Sequence, residues 1–183
     1  MPVFSGLTFS VRGGAFLSVT GANGSGKSSL LRVLAGLLRP ESGDFTVAGR
    51  QGDEPIAHYL GHADALKPTL TLRETLRFWA ALYGGRGDLA EVAGQVGLGH
   101  ALALPVGVLS AGQRRRAGLA RLLIAPRPLW LLDEPASALD RDGEAMLASL
   151  LEQHRAAGGI IVAAIHGDFP VTPDAVLDLG GTP

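Results

Sequence analysis

Apolar and polar positions alternate along the chain with two different periods, which predict strands and helices in turn. Short apolar runs next to glycine or turn residues predict strands within segments 4–11, 15–21, 41–49, 57–62, 128–135, 160–168 and 175–181. Apolar residues at intervals of three and four predict helices over 26–38, 72–84, 89–97, 110–126 and 142–156. Strands that alternate with helices indicate an α/β fold with a mostly parallel sheet.

Three predicted helices in the middle of the chain begin with residues that favour a helix N-terminus. The pairs are Thr71 with Glu74, Asp88 with Glu91, and Ser110 with Gln113. In each pair the first side chain can accept from the backbone of the second residue and the second can accept from the backbone of the first, which is a capping box. We therefore expect one domain over 1–183 with a helical subdomain inserted at about 65–125.

Composition and charge exclude several classes of protein. The net charge of −1 and the isoelectric point near 6.5 provide no basic surface that would neutralise nucleic-acid phosphates, so no nucleic-acid partner is expected. The chain has no cysteine, which excludes disulfides and thiolate metal sites. No run approaches the roughly 18 apolar residues of a membrane span, and the N-terminus has no signal-peptide pattern. A cytoplasmic location is the expectation.

The segment GANGSGKSS at 21–29 carries the clearest chemistry, and it contains one of only two lysines in the chain. It matches the pattern G-x-x-x-x-G-K-[ST] between a predicted strand and a predicted helix. Glycine lets consecutive backbone N–H groups converge on phosphate, and the lysine reaches the β- and γ-phosphates. The alternative is a glycine-rich turn with a solvated lysine. The candidate nucleotide-binding residues are Gly21, Asn23, Gly24, Ser25, Gly26, Lys27, Ser28 and Ser29.

Two acidic residues, Asp133 and Glu134, follow the apolar run LWLL at the carboxyl end of a predicted buried strand. Ligands of open α/β sheets bind at that edge. Asp133 and the hydroxyl of Ser28 are candidate Mg²⁺ ligands, and Glu134 would polarise an attacking water molecule. Taken alone, two acids after a strand are also typical of a turn or a helix cap.

Five motifs occur in an order that resembles the ATP-binding-cassette (ABC) ATPases, a family of P-loop NTPases. They are the phosphate loop, LSAGQ at 109–113, LLDEP at 131–135, SALD at 137–140, and His166. LSAGQ is similar to the signature motif of the family, with alanine in place of one glycine, and the arginine run at 114–116 is typical of a solvated helix face. Besides the parallel sheet, the resemblance implies a small antiparallel β subdomain and an inserted helical signature subdomain.

The resemblance also implies how nucleotide is bound. In this family two ATP molecules lie between two copies of the subunit, and the signature serine and glycine of one copy contact the γ-phosphate bound by the other. Ser110, Gly112 and Gln113 are the corresponding residues here. His166 corresponds to the switch histidine, which orients water with Glu134, although a histidine at a strand end is commonly structural. The implied catalytic residues are Lys27, Glu134 and His166, with ATP as substrate and Mg²⁺ as cofactor.

Two features depart from the family pattern. Most members carry a Mg²⁺-sensing glutamine after the strand that follows the edge hairpin, whereas a count back from Pro68 places His62 there. His62 is therefore a candidate member of the metal site, or a residue that only caps the strand. Only 20 residues precede Gly21, and they contain no counterpart of the aromatic residue that stacks on adenine. Either the true start lies upstream or phosphate contacts dominate nucleotide affinity, and Phe4 and Phe9 are expected to face the core.

Within the family, the segments VFSGLTFSV, YLGHADALKPTLT and LSAGQRRR are most similar to the ATP-binding subunit of the haem exporter of cytochrome c maturation. That resemblance implies integral membrane subunits and a second copy of the chain as partners, and a peripheral location on the cytoplasmic face of the inner membrane. Hydrolysis would remodel the haem-loaded complex and free its chaperone, or export haem. The alternatives are the ATPase of another small exporter, a soluble ABC ATPase that acts on nucleic acid or ribosomes, and a degenerate module that only holds nucleotide.

Overall fold

The structure is a computed structural model that describes residues 3–48, 55–167 and 169–180. The chain divides into two compact units. The first comprises Met1–Gly61, Arg127–Glu134 and Leu151–Pro183, and the second comprises His62–Pro126 and Pro135–Leu150. The first unit contains the sheet, and the second is helical.

The first unit is built on one sheet, which has five strands within the described residues. The strands are β1 (Phe16–Thr20), β2 (Ala57–Leu60), β3 (Leu129–Asp133), β4 (Ile160–Ala164) and β5 (Ala175–Asp178). Their order across the sheet is β2-β3-β4-β1-β5, and each neighbouring pair is parallel. The predicted α/β class with a mostly parallel sheet is therefore confirmed.

Helix α1 (Lys27–Leu34) follows β1 and packs against β3 and β4. Leu30, Leu31 and Leu34 are buried together with apolar side chains of these strands. Their spacing of one, three and four residues places them on the helix face towards the sheet. Burial of each leucine contributes about 1.5–3 kcal/mol, and this packing fixes the start of α1 at the carboxyl end of β1.

The second unit has helices α2 (Leu72–Tyr83), α3 (Leu89–Gln95) and α4 (Ala111–Ile124) at its centre. α4 packs against both α2 and α3. Helix α5 (Arg141–Ala156) begins in this unit, and its last residues belong to the first unit. Among the residues that the structure describes, no helix combines the length and the apolar character needed to cross a membrane.

Local capping contacts explain where the helices of the second unit begin. Thr71 Oγ1 accepts from the N–H of Glu74 at 3.2 Å, and Glu74 Oε2 accepts from the N–H of Thr71 at 2.8 Å. The hydrogen bond from the Thr71 backbone also lowers the pKa of Glu74. This capping box is confirmed. Asp88 caps α3 differently from the prediction, because its carboxylate accepts from the N–H of Ala90 at 2.8 Å.

Two predicted strands are wrong for the described residues. Segments 4–11 and 41–48 form no strand there, and Gly49, the end of the second prediction, lies outside the described residues. Side chains of the first segment nevertheless pack on the core, namely Phe4, Leu7, Phe9 and Val11. Burial of one side of the segment is enough to produce this alternation of apolar and polar residues. A strand also needs a partner that supplies ladder hydrogen bonds, so the alternation alone does not define a strand. The expected small antiparallel β subdomain is accordingly not observed in the described residues.

A half-buried histidine of α5 stacks on a tryptophan of the sheet. The rings of His154 and Trp130 are nearly parallel, at 8°, with 3.9 Å between their centroids. The His154 ring also covers Gly159, where a Cβ would lie 2.3 Å from it. Burial lowers the pKa of His154 below its ordinary value of 6.5, and backbone groups of Ile160 and Pro128 offset this only in part.

We expect the free energy of unfolding to fall as the pH drops below about 6.5, the ordinary pKa of histidine. Below that pH His154 becomes protonated in the unfolded chain, whereas the folded chain resists its protonation. Above that pH the His154 side chain is neutral in both states, so it causes no loss in the free energy of unfolding. The slope for one proton cannot exceed about 1.4 kcal/mol per pH unit. Denaturant titrations from about pH 5 to about pH 8 should show a smaller slope in His154→Phe. Equal slopes in His154→Phe and in the wild-type chain would contradict the assignment.

Candidate nucleotide-binding site

Three neighbouring strands end at one edge of the sheet, and predicted site residues follow each of them. β1 leads into the phosphate loop at 21–26, β3 ends at Asp133 before Glu134, and β4 ends two residues before His166. Asp133 is in register with Ala164, the last residue of β4, so these two strands end level with each other. The topology therefore brings the phosphate loop, both acids and His166 to the carboxyl edge, where open α/β sheets bind ligands.

The side chain of Lys27, the first residue of α1, is hydrogen-bonded to the backbone of the phosphate loop. Its Nζ donates to the carbonyl oxygens of Gly21 and Ala22 at 2.7 and 3.0 Å. The residue is only 8% exposed, and the first turn of α1 contains no acidic side chain. A phosphate group would offer this ammonium a charged acceptor, and a charge-assisted hydrogen bond is stronger than one to a neutral carbonyl.

The backbone of the loop requires glycine at three positions. Gly21, Gly24 and Gly26 have φ values of 137°, 83° and 98°, a region that residues with a Cβ rarely adopt. A Cβ on Gly21 would lie 2.6 Å from Ser25 Oγ, and one on Gly26 would lie 2.7 Å from the side chain of Val3. Gly26 caps α1 without a side-chain hydrogen bond, so the first-turn N–H groups suit an anionic ligand. Asn23 is exposed, and Ser28 and Ser29 are partly exposed.

The two acids differ in exposure and conformation. Asp133 is 4% exposed, whereas the side chain of Glu134 is 37% exposed. Glu134 has a φ of 49°, and its N–H donates to the carbonyl oxygen of Ala164 at 3.0 Å. His166 Nε2 lies 3.8 Å from Glu134 Oε1, which is too long for a direct hydrogen bond. A water molecule or a phosphate oxygen can therefore contact both side chains at once.

The signature segment belongs to the second unit and forms the N-terminus of α4. Ser110 is exposed, its Oγ accepts from the N–H of Gln113 at 3.1 Å, and Gln113 Oε1 accepts from the N–H of Ser110 at 2.9 Å. This predicted capping box is confirmed. A Cβ on Gly112 would lie 2.9 Å from the carbonyl oxygen of Ala138, so glycine fits best there. With no acid in its first turn, α4 presents the positive end of its dipole.

The SALD segment that follows Glu134 is connected to the same helix. Arg116 pairs with Asp140, and the N–H of Gly143 donates to Asp140 Oδ1 at 2.9 Å. The hydrogen bond from Gly143 and the Arg116 guanidinium together lower the pKa of Asp140. This carboxylate is thus charged over the whole physiological range and holds the start of α5 near α4 within the second unit.

His62 follows β2 by two residues and is exposed. It belongs to the second unit, whereas Ser28 and Asp133 belong to the first. Within the described ranges, no group of three or more histidine, cysteine or acidic side chains could hold a metal ion.

The sequence patterns assigned no role in a site to Arg115 or Asp64. The solvated-face prediction for 114–116 is wrong for Arg115, which is 2% exposed and pairs with Asp64 at 2.9 Å. Arg115 precedes the buried residues Leu119 and Leu122 by four and seven positions, so it lies on the buried face of α4. That spacing is the feature of the sequence that could have indicated the burial of Arg115. A charged side chain is ordinarily expected at the surface, so the spacing was not read in this way.

The profile of the family described as ABC transporter matches residues 4–137. The chain belongs to this family. As an ABC ATPase domain it binds nucleotide and hydrolyses ATP, and the matched range includes the phosphate loop, LSAGQ at 109–113 and the two acids after β3. The resemblance to the ABC ATPases is thereby confirmed.

Individual relatives agree with the family match. A protein of Rhodopseudomonas palustris (strain HaA2) named "Cytochrome c biogenesis ATP-binding export protein CcmA" is 53% identical over 93% of this chain and 87% of its own length. A protein of the same name from Nitrobacter hamburgensis is 48% identical over 98% of this chain and 92% of its own length. An ABC transporter ATP-binding protein from Pyrococcus furiosus has a similar structure, with a TM-score of 0.83 at 25% identity over 98% of this chain and 91% of that chain.

Proposed function

We propose that this ABC ATPase is the ATP-hydrolysing subunit of a transporter for cytochrome c maturation, where hydrolysis remodels a haem-loaded complex and frees its chaperone or exports haem. The support is the 53% identity, over 93% of the chain, to a protein named for cytochrome c biogenesis and export. Hydrolysis is supported most directly by the adjacency of β1, β4 and β3, the strands that precede the phosphate loop, His166 and Glu134. Integral membrane subunits would bind the chain and hold it at the cytoplasmic face of the inner membrane.

Within one chain, the phosphate loop would bind the β- and γ-phosphates. The uncapped N–H groups of α1 would donate to phosphate oxygens. Lys27 Nζ would give up its hydrogen bonds to the carbonyl oxygens of Gly21 and Ala22 and donate to phosphate oxygens as well. Glu134 would take a proton from the attacking water, and His166, 3.8 Å away, would contact the γ-phosphate and hold that water in line. Asn23, Gly24, Ser25, Gly26 and Ser29 complete the proposed phosphate contacts.

Oxygen donors of the first unit fit Mg²⁺. Asp133 is a nearly buried carboxylate at the end of β3, and Ser28 carries its hydroxyl in the first turn of α1. One carboxylate, one hydroxyl and phosphate oxygens are the hard ligands that Mg²⁺ prefers. Mg²⁺ bound there would neutralise part of the charge on the phosphates. His62 offers a nitrogen atom, which Mg²⁺ prefers less, and is proposed as the residue in place of the family's glutamine.

We place Ser110 and Gly112 of one copy against the γ-phosphate bound by a second copy. Ser110 is exposed at the positive end of α4, Gln113 braces it through the capping box, and Gly112 leaves the backbone accessible. Each copy would then have half of each site, and closure of the pair would exclude water and strengthen the charge interactions with the transferring phosphoryl group.

Co-purification tests the transporter assignment. The full chain, tagged and expressed in its native host, should carry integral membrane proteins with it in mild detergent at fixed stoichiometry. In the same host, replacing the chromosomal copy by the Glu134→Gln variant should abolish covalent haem in c-type cytochromes, because hydrolysis stops while the complex still assembles. Glu91→Gln, an exposed change on α3, should leave the cytochromes normal. Recovery without membrane proteins, or normal cytochromes in the Glu134→Gln strain, would contradict the proposal.

A further inference from the structure

Arg115 of α4 connects segments that are distant in the sequence. Its Nε donates to the carbonyl oxygen of Pro135 at 3.1 Å, and its Nη1 donates to Asp64 Oδ1 at 2.9 Å. The side chain of Arg115 is 3% exposed and that of Asp64 is 21% exposed. A buried charge is tolerated when it is paired and hydrogen-bonded, and the planar fork of arginine serves two acceptors at once.

The first partner, Asp64, lies in the segment that follows β2 and contains His62. Its carboxylate sits over Gly118 of α4, where a Cβ would lie 3.1 Å from Asp64 Oδ1. The next residue, Ala65, has a φ of 53°. A residue with a Cβ keeps this left-handed conformation only where neighbouring contacts hold it, and such residues cluster at functional segments. The contacts of Asp64 with Arg115 and Gly118 therefore hold a strained turn in place.

The second partner, Pro135, follows the candidate catalytic acid Glu134 directly in the chain. The segment after it contains Ala138, which also has a positive φ, of 63°. Gly112 of α4 packs on the carbonyl oxygen of Ala138, where a Cβ would lie 2.9 Å away. α4 thus contacts the segment after Glu134 at its signature glycine and at Arg115.

We propose that Arg115 is a positioning residue for ATP hydrolysis. It ties the His62 segment, through Asp64, to the segment that follows Glu134. The inference rests on the proposed function, in which both segments and the start of α4 serve the nucleotide site. One guanidinium donates charge-assisted hydrogen bonds to both segments. Displacement of one segment breaks its hydrogen bond to Arg115, and Arg115 then no longer holds the other segment in its orientation. Misplaced catalytic groups slow the reaction more than they weaken substrate binding.

Steady-state hydrolysis by the full chain, alone and in its membrane complex, tests the proposal. Asp64→Asn keeps the size of the side chain and removes its charge, whereas Arg115→Lys keeps the charge and loses the fork. Each variant should lower kcat about tenfold and change KM for Mg·ATP by less than about twofold. Glu91→Gln and Arg86→Lys change an exposed acid and an exposed arginine of the same unit, so they are matched controls and should leave kcat unchanged.

Ala65→Gly separates positioning from general stability. Glycine adopts a positive φ without strain, so the turn would depend less on its anchor. In the Asp64→Asn background it should restore kcat to within about threefold of wild type, and alone it should change kcat by less than about twofold. Wild-type kcat in Asp64→Asn would overturn the inference, as would a loss that Ala65→Gly does not restore and that parallels a fall in Tm. A wild-type chain that hydrolyses no ATP in either form would instead refute the proposed function, and this inference with it.

Discussion

Replacing Glu134 by glutamine is expected to slow ATP hydrolysis by about two to four orders of magnitude while Mg·ATP binding changes by less than about twofold. Glutamine has nearly the same shape and can still hydrogen-bond a water molecule, but it cannot take a proton. The backbone of Glu134 holds a φ of 49°, which costs about 1–3 kcal/mol in a residue with a Cβ. The hydrogen bond from its N–H to Ala164 and the level ends of β3 and β4 keep that conformation.

Single-turnover hydrolysis and nucleotide binding, measured on the same preparation, check this expectation. Glu91→Gln makes the same chemical change at an exposed position of α3 and should behave as wild type. His166→Gln should slow hydrolysis as well, because the His166 ring lies 3.8 Å from the Glu134 carboxylate and would share the same water. An unchanged rate in Glu134→Gln would remove this residue from the catalytic assignment.

Two inactive variants are expected to recover activity when they are mixed. A Lys27→Ala chain lacks the phosphate-binding ammonium but keeps its signature helix, and a Ser110→Asp chain has the reverse combination. In a mixed dimer one of the two sites would contain the intact Lys27 of one copy and the intact Ser110 of the other. Random pairing at equal amounts makes about half of the dimers mixed, and each mixed dimer has one complete site instead of two. The mixture should therefore reach about a quarter of the wild-type rate.

Aspartate is chosen at position 110 because it caps a helix as well as serine does. The start of α4, where Ser110 accepts from Gln113, should therefore stay folded while a negative charge faces the proposed γ-phosphate. Ser110→Asn, which caps equally well without the charge, is the matched control and should keep most of the activity. Mixing Lys27→Ala with the Lys27→Ala/Ser110→Asp double variant should give no recovery. A mixture as inactive as its two components would argue against shared sites.

Elements whose cause is local followed from short stretches of sequence. The phosphate loop needs glycines with positive φ before an apolar helix face, and both requirements are visible in residues 21–34. The capping boxes at Thr71 and Ser110 depend on two side chains three residues apart. The interior strands β3 and β4 are apolar runs because the side chains on both faces of such a strand are buried in a parallel sheet.

Two local patterns did not determine which contact forms. Segment 4–11 has the alternation of a strand, yet its apolar side chains pack on the core without a ladder. Asp88 and Glu91 have the spacing of a capping box, but Asp88 accepts from Ala90 instead. In both cases the sequence pattern indicates which side chains prefer burial or are able to cap a helix. Which contact forms depends on the backbone geometry and on the partners available in the folded chain.

The order of residues along the chain was enough to establish an α/β nucleotide-binding ATPase, since its motifs are defined by spacing and by chemistry within a few residues. The order of the strands, and with it the meeting of the phosphate loop, Glu134 and His166 at one edge, was decided by tertiary structure. The burial of Arg115 against Asp64, 51 residues away, was decided there as well. A contact of that kind depends on which surfaces pack together, and packing is a property of the whole folded unit rather than of any one stretch of chain.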